Sequence, residues 1–130
     1  MSNVNSFTTT IPSGTTISVY QTFELDRDTR WKIMTLTREK NAARLRVAFH
    51  CHLRRKGYVG SFELAEDSSL EDLYKLLQHD THEQGWVEAT GAQRDWDEKA
   101  PACSLSCFDV LTTDDGQWFI VAPNGFFQFQ

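Results

Sequence analysis

His50 and His52 are separated by one residue, and on an extended strand that spacing puts both imidazoles on one face, where they could share a metal ion. His79 and His82, three apart at the end of a helical pattern, could add ligands, yet nothing in the pattern joins the two pairs. Surface histidines beside an arginine-rich turn are the simpler reading, so no metal and no cofactor is assigned. Cys51, Cys103 and Cys107 lie in no nucleophile signature, and Ser104 and Ser106 lack the Gly-x-Ser-x-Gly elbow that exposes a hydrolase serine. Neither a phosphate-binding glycine loop nor a dinucleotide fingerprint occurs. No catalytic residue is named, and a metal-dependent enzyme using His50 and His52, or a cysteine enzyme, ranks last among the functional readings.

Charge and aromatic placement say more. Residues 29–56 hold nine Lys or Arg against the single acid Glu39, whereas residues 57–130 hold three basic and fourteen acidic groups. Arg44, Arg46, Arg54, Arg55 and Lys56 are expected to form one exposed patch able to grip phosphates through charge and counterion release. The net charge of −5 argues the other way, because dedicated nucleic-acid domains are usually basic as a whole. The acidic region instead suits a basic protein partner. Within it Trp96 stands among Arg94, Asp95, Asp97 and Glu98, the composition of an interface anchor with a polar rim. Asp109, flanked by apolar residues, reads as a rim carboxylate.

Several elements would carry these groups. Thr8–Thr10 and Thr15–Thr16 flank Pro12-Ser13-Gly14, which predicts a hairpin, with Ile17, Val19 and Gln21 on one strand face. Trp31–Thr37 and Tyr58–Leu64 read as strands, and Trp86–Thr90 as a short one. Leu45, Val47, Phe49, Cys51 and Leu53 alternate with polar residues, which favours a strand over the rival helical stripe Ala42, Leu45, Phe49, Leu53. Ser68 and Glu71 form a capping box ahead of Leu70, Leu73, Tyr74 and Leu77, so residues 69–79 are predicted helical. After a polar loop at 91–102, Asp114-Asp115-Gly116 and Pro123-Asn124-Gly125 separate three apolar runs. They predict a C-terminal meander in which Phe126, Phe127 and Phe129 are inserted, covered, or paired with a second copy; insertion or coverage is favoured over a homodimer.

The fold class expected is α+β: a single domain over 1–130, with 1–6 a flexible tail. Its antiparallel sheet has about six to eight strands, and its one main helix packs on that sheet. With 40% hydrophobic residues the chain can bury a core, and no apolar run approaches the roughly 20 residues needed to span a bilayer. The first residues lack a secretory pattern, and three cysteines do not make a disulfide framework, so the expected location is the cytoplasm and the thiols are read as small buried hydrophobes. The leading functional expectation is a non-enzymatic inhibitor, immunity or adaptor module. It would recognise another protein, such as a nucleic-acid-handling enzyme, through its acidic surface and aromatic loop. Nucleic-acid binding by the 30–56 segment is the alternative.

Overall fold

The computed structural model describes residues 9–23, 25–78, 90 and 104–130. Its elements run β1 (Thr10–Ile11), β2 (Thr16–Tyr20), α1 (Arg27–Arg38), α2 (Ala42–Ala48), a π-helical turn (Phe49–Leu53), α3 (Arg54–Lys56), β3 (Tyr58–Glu63), β4 (Ser68–Ser69), α4 (Leu70–Leu76), β5 (Val110–Thr113), β6 (Trp118–Ala122) and β7 (Gly125–Gln128). Five strands form an antiparallel sheet in the order β3-β2-β5-β6-β7, and β1 pairs with β4 in a separate two-stranded ribbon. The fold is α+β, as the pattern predicts.

Each face of the large sheet is covered. On one face Ile17, Val19, Leu111, Phe119, Val121 and Phe126 pack with Leu70, Leu73 and Leu77 of α4 and its C-cap. On the other, Val110, Ile120, Phe127 and Phe129 meet Ile33 and Leu36 of α1 and Leu45, Ala48, Phe49 and Leu53 of the following helix. Strand residues alternate between the two cores because successive side chains point to opposite faces. The C-terminal meander forms with Gly116 at φ 95° in its first turn. β7 is the outer strand and is not inserted, and Phe126 and Phe127 bury on opposite faces of the sheet.

Four expectations are overturned. Trp31–Thr37 lies in α1, whose N-cap Asp26 accepts the Thr29 N–H at 2.7 Å. Residues 42–56 are helical, capped by the Asn41 side chain on the Arg44 N–H at 3.2 Å. Here the stripe Leu45, Phe49, Leu53 wins, and Val47 and Cys51 point outward. A four-residue spacing overshoots each α-helical turn by about 40°; the π turn, with the Arg54 N–H donating to the Phe49 carbonyl, swings Leu53 back onto the sheet. The Pro12–Gly14 turn exists, with Gly14 at φ 84°, but β1 and β2 do not pair: Thr10 and Ile11 meet Ser69 and Ser68. The capping box falls one residue later than predicted, with the Ser69 hydroxyl accepting the Asp72 N–H at 3.0 Å and Asp72 accepting the Ser69 N–H at 3.1 Å. Ser68 and Ser69 both pair with β1, and Ser69, the last extended residue before α4, has the backbone a cap requires, at φ −77° and ψ 165°.

Candidate nucleic-acid interface

The helical layer carries the basic segment. α1 and the 42–56 helix bury their apolar stripes against one sheet face, so their polar residues turn to solvent. Arg44, Arg46, Arg54, Arg55 and Lys56 are all exposed along residues 42–56, as is Val47, at 61%. Arg46 also serves the fold, because its guanidinium donates to the Phe129 carbonyl at 2.9 Å and ties the helix to the outer strand. His50, Cys51, Arg54 and Arg55 line a cleft of about 650 Å³ at the π turn, and His50 Nδ1 stands 3.4 Å from an Arg54 guanidinium nitrogen. π turns are often found at functional positions. His50 and Arg54, four residues apart, lie side by side on the helix, while Phe49 is clamped among Tyr20, Trp118 and Phe129, at ring distances of 4.8, 4.7 and 6.0 Å.

His50 and His52 cannot act as the strand pair that the spacing suggested, since residues two apart on a helix do not face each other. His52 instead lies toward Asp26, whose carboxyl is held below its ordinary range by the Thr29 hydrogen bonds and, more weakly, by Lys56 and His52. Among the described residues no three His, Cys, Asp or Glu side chains gather as a metal site would need. Cys51 and Cys107 are free and exposed, not buried. His79, His82, Cys103 and the whole of Arg94, Asp95, Trp96, Asp97 and Glu98 lie outside the described residues.

A second concavity was missed by the sequence reading. A groove of about 660 Å³ runs between the first turns of α1 and the segment before β5, lined by Thr22, Arg27, Asp28, Arg30, Trp31, Met34 and Phe108. Trp31 is 64% exposed. Phe108 adopts φ 75°, a left-handed conformation costly for a bulky side chain. The reason is local: the Asp109 N–H donates to the Ser106 carbonyl, closing a turn, while the Phe108 N–H and Asp109 carbonyl both engage Val121 at 2.7 and 2.9 Å. That is a β-bulge with Phe in the place usually held by Gly.

Behind the groove Asp109 is only 3% exposed, so the expected rim carboxylate is a buried one. It accepts from the Gln21 amide at 3.1 Å, the Thr22 N–H at 3.2 Å and the Ser106 N–H at 2.9 Å. Burial pushes its carboxyl up to about 6, against the opposing pull of these hydrogen bonds. The carboxylate joins the end of β2 to the approach to β5 and so fixes Thr22 and Phe108 on the groove wall. Its hidden position follows from the bulge, for which Phe at the critical site leaves no sequence signal.

Electrostatically the layers are opposed. Residues 26–56 hold ten Lys or Arg and three acids, all on the α1–α3 side, whereas the α4 side exposes Glu66, Asp67, Glu71 and Asp72. The single ion pair among the described residues is Lys75–Glu71 at 3.9 Å, on α4. No helix among the described residues is long and apolar enough to cross a membrane. In comparisons with known proteins, no family model, no curated protein and no solved structure matches this chain.

Proposed function

We propose that this protein is a binding module that engages nucleic acid through the outer face of its helical layer. The observation that carries the reading is the unneutralised charge of that face: Arg27, Arg30, Lys32, Arg38, Arg44, Arg54, Arg55 and Lys56 make no ion pair among the described residues. Charges left free on one surface supply the counterion-release term that dominates phosphate binding. The acidic opposite side orients the approach and disfavours backward docking. A cytoplasmic setting belongs to this reading, since free thiols at Cys51 and Cys107 suit a reducing compartment.

The second reading is an inhibitor, immunity or adaptor module that meets a basic protein with its acidic side, supported by Glu66, Asp67, Glu71 and Asp72 on the α4 face. Fluorescence anisotropy with a labelled single-stranded oligonucleotide at low salt separates the two. The nucleic-acid reading expects saturable binding that Arg54→Glu with Arg55→Glu weakens at least tenfold. Equal affinity of the reversed variant would leave the acidic face as the working surface.

A further inference from the structure

We infer that the groove beside Trp31 is a stacking pocket for an unpaired nucleobase, which makes single-stranded nucleic acid the substrate of the basic face. This inference rests on the nucleic-acid reading and narrows it.

The groove combines what a nucleotide requires. Trp31 and Phe108 offer aromatic surface, and Met34 adds a polarisable thioether. Arg27 and Arg30 line the same groove, and guanidinium groups there can reach phosphate or stack in their own right. Asp28 and Thr22 bring the acceptors that a base N–H seeks and that a bare anion site would not want. At about 660 Å³ the space falls within the range of small-ligand sites.

The exposure of Trp31 has no structural use that would explain it: at 64% it contributes little to the core that Ile33 and Leu36 build from the same helix. Phe108 points the same way. A ring kept at a bulge position where glycine would relax the backbone marks strain that the surrounding hydrogen bonds must hold. The held ring faces the groove. A base inside a duplex is stacked on its neighbours and cannot enter such a site without being unpaired, whereas single strands present their faces freely.

The test compares three labelled 12-mers: oligo-dT, its duplex with oligo-dA, and an abasic backbone of the same length. Trp31→Ala should weaken oligo-dT binding by about 5- to 100-fold, leave the abasic affinity unchanged, and keep the thermal midpoint, because the side chain is exposed. Trp31→Phe should restore most of the loss. If Trp31→Ala binds oligo-dT like the wild type while the Arg54, Arg55 reversal abolishes binding, the stacking inference falls and the phosphate reading stands. A loss shared equally by oligo-dT and the abasic strand, or tighter binding of the duplex, also overturns the inference. Should the wild type bind none of the three, both readings fall together.

Discussion

Asp109 is a buried carboxylate whose protonation bears on the pH response of the fold. A carboxyl raised to about 6 in the folded state, from an ordinary 3.8, favours folding most when protonated. Its contribution is therefore fully present below about pH 4 and is lost as pH rises through about 6; the difference corresponds to roughly 3 kcal/mol. Asp26 and Asp72 have the opposite sign, since capping hydrogen bonds lower them, so their contribution is present above the ordinary aspartate range and fades in stronger acid. Stability measured by urea unfolding should accordingly peak near pH 4 to 5 and decline toward 7. Asp109→Asn should flatten that decline. An unchanged slope between pH 4 and 7 would mean that another group governs it.

At the scale of elements, the 42–56 helix decides where the basic groups point. Its C-terminal Gly57 is required by close approach, because a Cβ there would meet the Gln21 carbonyl oxygen at 2.6 Å and collide with Leu53 Cδ1. Gly57→Ala should cost roughly 1 to 3 kcal/mol by overpacking in thermal or denaturant unfolding. Ser69→Ala should cost about 1 kcal/mol through the lost cap, whereas Ser68→Ala should cost less, its hydroxyl reaching only the Glu66 carbonyl. These elements were unequally legible. The α4 stripe and the Asp114–Gly116 and Pro123–Gly125 turns were readable because local chemistry determines them. Residues 45–53 were not: their alternation and their helical stripe coexist, and packing of Phe49 against Tyr20, Trp118 and Phe129 decides between them. The pairing of β1 with β4 was hidden for the same reason, since its partner lies far along the chain, 59 residues from Thr10 to Ser69 and 57 from Ile11 to Ser68.

For the whole molecule, the separation of charge along the chain becomes a separation across the sheet, with basic helices on one side and acidic α4 on the other. That much was written in the order of residues. The Trp31 groove was not, because a strand reading of 31–37 leaves α1 unseen and nothing marks Phe108 as a bulge residue. The claim that the helical face binds nucleic acid is tested most directly by the salt dependence of oligonucleotide affinity. For a single strand, log affinity should fall with log salt by about 0.7 per phosphate neutralised. The wild type should show a slope of about −3 or steeper, and the Arg54→Glu, Arg55→Glu variant one shallower by at least about 1. A wild-type slope near zero, or one that the reversal leaves unchanged, would contradict the account.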